Sequence, residues 1–144
     1  MTDLRPVMTP TELNLYIAEV YPQIMDQFPG YSVTSIEPGV VVVQLETDDR
    51  HIRAGNTVSG PTLFTLADMG GYACVLSHIG RQALAVTTNL NINFMRKADA
   101  GLLEAHCKIL KLGKRLMVFE TTICQAGDSA VIAHATGTYA IPPS

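Results

Sequence analysis

The sequence predicts an α+β domain in which an antiparallel β-sheet curls around one long central helix. Residues 60–79 are apolar around almost the whole helical circumference, which is typical of a buried helix. Four long segments of alternating residues follow without another helix, as expected for strands. The 144 residues, 47% hydrophobic and 16% charged, suffice for one domain with a substantial core. We expect a single domain over residues 1–144.

The first predicted element is a helix that begins after Thr9. Thr9, Pro10 and Glu12 form a capping-box pattern with proline in the first helical turn. One apolar stripe then continues until Pro22 interrupts it, formed by Leu13, Tyr16, Ile17, Val20 and Tyr21. We expect residues 1–30 to be a helical segment that packs on the rest of the domain.

Two β-branched runs, at residues 31–36 and 40–47, are separated by Pro38-Gly39 and predict a hairpin. Residues 50–59 predict a loop. Ser59 then suits an N-cap, with Pro61 in the first turn of the central helix and Gly80 just after its end. Small residues on this helix predict close approach by the neighbouring backbone: Ala67, Gly70, Gly71 and Ala73.

The four strands are predicted at residues 84–94, 103–110, 116–124 and 130–141. In the first of them, strict alternation predicts one apolar and one polar face, the polar face carrying Thr87, Asn89, Asn91 and Asn93. A polar exposed face is the default for an antiparallel strand, so by itself it indicates no function.

Composition and motifs exclude several classes of protein. The net charge of -3 disfavours nucleic acid as a partner. The absence of a signal-like or membrane-spanning segment predicts a cytoplasmic protein with no membrane partner. The three cysteines form no CxxC pair, and the four histidines lack metal-binding spacing. We therefore expect no cofactor and no local metal motif, although a metal site assembled by the fold stays open.

Asp68 is the first candidate for chemistry, because it is a carboxylate within an otherwise apolar helix. A charge that packs against a core is costly, so its presence there needs a reason. One interpretation is a catalytic carboxylate. The other places Asp68 on a solvated strip of the helix or in a hydrogen bond to a loop.

A second candidate is the turn that enters the helix, from Asn56 through Ser59 and Gly60 to Pro61. Free N–H groups at a helix start hold an oxyanion well. An ordinary Ser59 cap with Pro61 behind it accounts for the same residues.

A third candidate is a set of five cations, which the strands would gather at one end of the sheet if they are neighbours. Such a cluster would hold phosphate groups, whereas isolated cations at hairpin tips would serve solubility alone. The set consists of Arg96, Lys97, Lys111, Lys114 and Arg115.

Three segments of the chain form a recognisable set: Gly60-Pro61-Thr62-Leu63-Phe64-Thr65-Leu66-Ala67-Asp68, the polar strand from Val86 to Met95, and Lys111-Leu112-Gly113-Lys114. Together they resemble a known family, the hotdog-fold acyl-CoA thioesterases of the phenylacetate-degradation (PaaI-like) type. The resemblance covers about residues 35–141.

The resemblance implies that Asp68 is the general base or nucleophile, that the Gly60 N–H polarises the thioester carbonyl, and that Thr87 orients water. It also implies a homodimer or a dimer of dimers, in which Asp68 of one chain faces Gly60 of the other. The family usually has His-Gly-Gly where this chain has Ser59-Gly60-Pro61, and a family Asn aligns with Arg53, with Asn56 nearby.

The sequence therefore predicts an acyl-CoA thioesterase that releases a free acid and coenzyme A. A non-catalytic acyl-CoA sensor on the same fold is the main alternative, favoured by loss of the usual His and disfavoured by Asp68. A hydratase or dehydratase would need a catalytic His near the helix start, where only His51 is close.

Overall fold

Three helices and eight strands form over residues 4–143 of the computed structural model. The helices are α1 (Pro10–Val20), α2 (Pro22–Gln27) and α3 (Gly60–Ile79). The strands are β1 (Tyr31–Glu37), β2 (Val40–Glu46), β3 (Ile52–Arg53), β4 (Thr57–Val58), β5 (Val86–Phe94), β6 (Leu102–Leu112), β7 (Leu116–Gln125) and β8 (Val131–Ala140). Six strands make one antiparallel sheet in the order β1-β2-β6-β7-β8-β5, and it wraps around α3. The predicted fold class is confirmed.

The N-terminal helices begin at caps that the sequence carries. Glu12 N–H donates to Thr9 Oγ1 at 3.2 Å, and Thr9 N–H donates to Glu12 Oε1 at 3.0 Å, which confirms the capping box. Pro22 separates α1 from α2, a short second helix that the apolar pattern does not predict. The Asn14 side chain bonds both the N–H and the C=O of Val33, at 2.8 and 2.9 Å, and so ties α1 to β1.

The predicted hairpin is present as β1 and β2, with Gly39 at a φ of 73° in the turn. The prediction of a loop at residues 50–59 is wrong in part. A 3-10 turn at Asp49–His51 and a small ribbon of β3 and β4 occupy this segment. Gly55 and Asn56 supply the left-handed turn between the two short strands, with φ of 79° and 58°.

The central helix has the predicted bounds. Ser59 Oγ accepts the Thr62 N–H at 3.3 Å, and Gly80 follows the helix with a φ of 93°. The predicted close approach is found at Gly70 and Gly71. A Cβ atom at Gly71 would overlap the Phe119 ring, and one at Gly70 would overlap Cys107 Sγ. Glycine is therefore required where α3 crosses the sheet.

The edge strand β5 differs from its predicted pattern. Its pairing with β8 shifts register between Thr87 and Asn89, which is a β-bulge. Because of this bulge, Thr87 faces α3, whereas Asn89, Asn91 and Asn93 face away from the helix. The prediction that all four lie on one face is therefore wrong.

Within the described part of the chain, residues 4–143, no helix is both long and apolar enough to cross a lipid bilayer.

Candidate active site

Asp68 lies half-buried on α3, where two hydroxyl groups hold one of its oxygens. Thr87 Oγ1 donates to Asp68 Oδ1 at 2.6 Å, and Tyr139 OH lies 2.8 Å from the same oxygen. Tyr139 OH also lies 2.9 Å from the Asp68 backbone carbonyl, so its proton is shared between two acceptors of one residue. The carboxylate is thereby fixed in one orientation.

The second carboxylate oxygen of Asp68, Oδ2, receives no hydrogen bond from residues 4–143. No donor within residues 4–143 lies in hydrogen-bond range of Oδ2, and the same residues contain no buried side-chain oxygen without a partner. Oδ2 is therefore open to solvent. Asp68 therefore has one accessible carboxylate oxygen at the wall of a cleft, while hydrogen bonds from Thr87 and Tyr139 restrain the other oxygen.

Tyr139 acts here as a hydrogen-bond donor. Burial raises the pKa of its phenol well above the usual value, and the nearby Asp68 charge raises it further. The phenol therefore keeps its proton across the physiological range and donates it toward the carboxylate. Tyr139 lies opposite Thr87 in the pairing of β8 with β5. The bulge after Thr87 lets both side chains reach Asp68.

Sequence reasoning missed Tyr139. The alternation of β8 places it on the helix side of its strand. That signal identifies a buried residue but gives no partner, because the pairing of β8 with β5 joins segments far apart in the chain. A buried tyrosine on an inward position needs a hydrogen-bond partner for its OH. The sequence therefore indicates that Tyr139 bonds a polar group, but it does not identify that group.

A cleft of about 480 Å³ opens beside Asp68. Phe64 and Tyr72 lie one helical turn before and after Asp68 and so share its face of α3. Tyr72 stacks on Tyr139 with ring centroids 6.1 Å apart, and Tyr21 meets Tyr72 edge-on at 6.4 Å. Apolar side chains from three helices and β5 complete the wall: Val20, Ile24, Met69 and Val86.

Tyr72 closes one side of this cleft. Its OH donates to the Ala83 carbonyl at 2.9 Å, and burial raises its pKa to about 12. The ring is thus held by a hydrogen bond at one end and by aromatic contacts on its faces. Tyr72 therefore contributes an aromatic surface to the cleft rather than a titrating group.

Gly60 lies in a different cavity of the same chain. Its N–H has no acceptor among residues 4–143, and Pro61 behind it has no N–H to offer. This second cavity has a volume of about 400 Å³ and is lined in part by Arg53, Arg96 and Lys97. Along the helix axis, Gly60 and Asp68 are about 12 Å apart at ~1.5 Å per residue. One chain alone does not place both groups on the same carbonyl.

The neighbours of Gly60 have structural roles in the chain. Ser59 Oγ lies 2.8 Å from Thr62 Oγ1 as well as capping the helix, so its hydroxyl is engaged. Asn56 is exposed at the left-handed turn, and its carbonyl accepts from Ala100 N–H at 3.4 Å. Arg53 is exposed and, unlike Asn56, lines the cavity beside Gly60.

The five cations form two groups, so the expectation of one cluster is wrong for a single chain. Val86 and Leu116 both lie opposite Ala140, whereas Phe94 lies opposite Ala133. Arg96 and Lys97 follow Phe94 and therefore lie at one end of the sheet. Lys111, Lys114 and Arg115 surround the β6–β7 turn at the other end, where Lys114 and Arg115 line a third cavity of about 550 Å³.

His51 is placed away from the cleft. Its Nδ1 accepts the Asp48 N–H at 3.0 Å, so Nε2 carries the proton that is donated to the Gln27 carbonyl at 2.8 Å. The ring also stacks on Phe28, with centroids 4.8 Å apart. Both ring nitrogens are occupied, which disfavours a hydratase that would use this histidine.

Comparison with known proteins decides the family. Residues 55–132 match the family model described as the thioesterase superfamily. The chain belongs to the thioesterase superfamily. A predicted esterase of Pseudomonas aeruginosa is 38% identical over 104 residues, which are 71% of this chain and 75% of that protein. The resemblance to the hotdog thioesterases is thereby confirmed, and thioester hydrolysis is the general activity that these relatives support.

Two solved structures share the fold of this chain. The crystal structure of a predicted thioesterase from Silicibacter sp. is 41% identical, with a TM-score of 0.88 over 99% of this chain and 97% of that one. A structure of the phenylacetic acid degradation protein PaaI from Thermus thermophilus has a TM-score of 0.71, covering 84% of this chain and 99% of that chain at 24% identity. At that identity the PaaI likeness establishes the fold alone.

We predict that Tyr139→Phe lowers thioester hydrolysis by this superfamily member roughly tenfold or more, because a hydrogen bond to a charged group is worth about 1.5–3 kcal/mol. Initial rates with a thiol reagent measure the effect. Tyr31→Phe is the matched control, since Tyr31 OH also donates to an α3 carbonyl, that of Met69 at 3.1 Å, but is not bonded to Asp68. Equal losses in both variants would mean that Tyr139 serves folding alone.

Proposed function

We propose that the protein hydrolyses acyl-CoA thioesters to a free acid and coenzyme A, with Asp68 as general base or nucleophile. The observation that carries the proposal is the state of this carboxylate: Thr87 and Tyr139 restrain Oδ1, while Oδ2 is open to an aromatic cleft. An aspartate that served only to solubilise the helix would need neither hydroxyl.

As a general base, Asp68 Oδ2 takes a proton from a water molecule that attacks the thioester carbon. The tetrahedral oxyanion then collapses and expels the coenzyme A thiolate, which takes up a proton. As a nucleophile, Oδ2 attacks the carbon itself, expels the same thiolate, and leaves an anhydride that water cleaves. Both routes need the fixed carboxylate, and both give the same products.

Thr87 has a positioning role in this proposal. Its hydroxyl proton points at Asp68 Oδ1, so its oxygen remains able to accept a hydrogen bond from a water molecule beside the carboxylate. The proposed assignment of Thr87 to water orientation is compatible with that geometry.

The oxyanion donor comes from a second chain. β5 is an edge strand with one free side, and Leu84, Val86 and Phe94 are each more than half exposed on or beside it, at 78%, 54% and 54%. Two such edges that pair antiparallel about a two-fold axis bring opposite strand ends together. Asp68 bonds Thr87 near one end, and Gly60 adjoins the Phe94 ring at the other. Gly60 of the partner subunit would then meet Asp68.

In the proposed dimer, each remaining part of the substrate has a surface that suits its chemistry. The acyl group occupies the cleft beside Asp68, between the rings of Phe64 and Tyr72. The pantetheine arm leaves past Gly60 of the partner subunit, and the nucleotide phosphates meet cations. Exchange of strand ends brings Arg96 and Lys97 of the partner subunit toward the end that carries Lys111, Lys114 and Arg115. Arg53, in the cavity with Gly60, is favoured over Asn56 as the side chain near the carbonyl.

We predict that Asp68→Asn lowers hydrolysis of acyl-CoA at least ~100-fold, because the amide cannot take a proton from water. Calorimetric binding of a non-hydrolysable acyl-CoA analogue should stay within a few-fold of the wild type. Near-normal turnover by the folded variant would exclude catalysis by Asp68. A wild type that binds the analogue but turns over no acyl-CoA would instead support a binding module.

We predict that Gly60→Pro also abolishes hydrolysis, since it removes the N–H while the extended Ser59 backbone, with a ψ of 152°, suits a following proline.

A mixture of two inactive variants tests whether each site is shared between two chains. An equal mixture of Gly60→Pro and Asp68→Asn chains, refolded together, should regain roughly one quarter of wild-type activity, because half of randomly formed dimers contain one intact site of two. No recovery in a mixture proven to contain heterodimers would place the site within one chain.

We predict that neutralising Lys114 and Arg115 together raises KM for acyl-CoA roughly tenfold and leaves kcat nearly unchanged, because exposed ion pairs at about 0.5–1 kcal/mol each act on binding alone. Higher salt should mimic the change in the wild type. An acyl-pantetheine thioester lacks the nucleotide phosphates and is the substrate control, while Lys108→Ala is the protein control on the outer sheet face. Equal slowing of both substrates would refute the phosphate assignment.

A further inference from the structure

Three metal-ligating side chains meet on the sheet face that points away from α3. The donor atoms of Glu104, His106 and Cys124 all lie within 4.8 Å of one another. Glu104 Oε1 and His106 Nε2 are 3.4 Å apart. None of the three belongs to the cleft at Asp68, which lies on the helix side of the sheet.

The strand geometry explains why these residues meet. Glu104 and His106 are two residues apart on β6 and therefore project from the same face. Cys124 lies directly opposite Glu104 in the pairing of β6 with β7. Both strands lie inside the sheet, with neighbours on either side. The donors are thus anchored on a backbone that is paired at both edges.

One further residue orients the carboxylate. Glu104 is paired with Gln44 on β2, the neighbouring strand on the side away from β7. Gln44 Nε2 donates to Glu104 Oε2 at 3.0 Å. This leaves Oε1 directed to His106 and free to act as a ligand. A hydrogen bond to the second carboxylate oxygen is the usual outer support of a ligating carboxylate.

We propose that Glu104, His106 and Cys124 bind one Zn²⁺ ion. Thiolate, imidazole and carboxylate are the donors that zinc takes in proteins, and a sulfur ligand disfavours Mg²⁺ and Ca²⁺. The Cys124 thiol loses its proton to solvent as the Zn–S bond forms. Three protein ligands leave the fourth tetrahedral position to water. His106 and Glu104 expose 48% and 24% of their side chains, so the ion reaches them from solvent.

The metal links two neighbouring strands by their side chains, so its expected effect is on the stability of the sheet. Because binding selects the folded arrangement, Zn²⁺ raises the melting temperature of the chain. The site does not depend on the proposed acyl-CoA chemistry, and its test needs no activity measurement.

Titration of the full chain, first stripped with a chelator, with Zn²⁺ in a calorimeter tests the proposal. We expect saturation at one ion per chain and a rise in melting temperature that the chelator reverses. Cys124→Ser and His106→Gln should each weaken binding at least about tenfold, and Gln44→Ala by roughly tenfold as an outer-support residue.

The chain offers a matched control on the same face. His134 Nε2 lies 3.2 Å from Glu120 Oε2 and forms a similar histidine–carboxylate pair outside the three-residue group. His134→Gln should leave Zn²⁺ affinity unchanged. A loss equal to that of His106→Gln would mean nonspecific binding along the sheet and would overturn the proposal.

Co²⁺ in place of Zn²⁺ gives a direct readout of the thiolate. The wild type should show a thiolate-to-cobalt charge-transfer band and the intense visible bands of a tetrahedral ion, and Cys124→Ser should lose the charge-transfer band. Because the spectrum of the wild type alone tests the site, the experiment stays decisive even when a variant fails to fold. A wild type without the band, or without saturable Zn²⁺ binding, refutes the site.

Discussion

The Phe119 ring packs so closely against Gly71 of α3 that a Cβ atom at residue 71 would overlap the ring. Cys107 Sγ lies equally close to Gly70, where a Cβ atom would overlap the sulfur. This contact sets the distance between helix and sheet. Asp68 lies less than one turn before it, so the distance also determines whether hydroxyl groups on β5 and β8 reach the carboxylate. A helix held further from the sheet by an added side chain would leave Asp68 without Thr87 and Tyr139 as donors.

Local signals in the sequence predict the elements better than they predict the site. Ser59, Pro61 and Gly80 determine the bounds of α3 because caps act within a few residues. The orientation of Thr87 depends on a bulge in its pairing with β8, and alternation in β5 alone predicts the wrong face for Thr87, the face that carries Asn89, Asn91 and Asn93. Tyr139 was inaccessible to sequence reasoning for the same reason, since its partner lies on another element. The resemblance to a family supplied Thr87, and it carried no information on Tyr139.

The two groups of cations show how topology overrules proximity in sequence. Arg96 and Lys97 follow β5 directly, and the turn from Lys111 to Arg115 comes soon after, which favours a single cluster. In the sheet, β8 and β7 lie between β5 and β6, and the strand directions place the two groups at opposite ends of the strands. In the proposed dimer, pairing of two β5 edges reverses one copy. The groups separated in one chain then become neighbours across two, as do Gly60 and Asp68.

Asp68 and Glu104 are both half-buried carboxylates, and their companions assign them different chemistry. Asp68 receives two hydroxyl donors on one oxygen, which restrains it, and the cleft beside the other oxygen is lined by described residues that include no imidazole and no thiol. Glu104 receives an amide donor on one oxygen and has an imidazole and a thiol beside the other. A single free oxygen in an aromatic cleft suits proton transfer or attack on carbon. The same oxygen beside nitrogen and sulfur donors suits a shared cation, because one ion can be bound by all three donors.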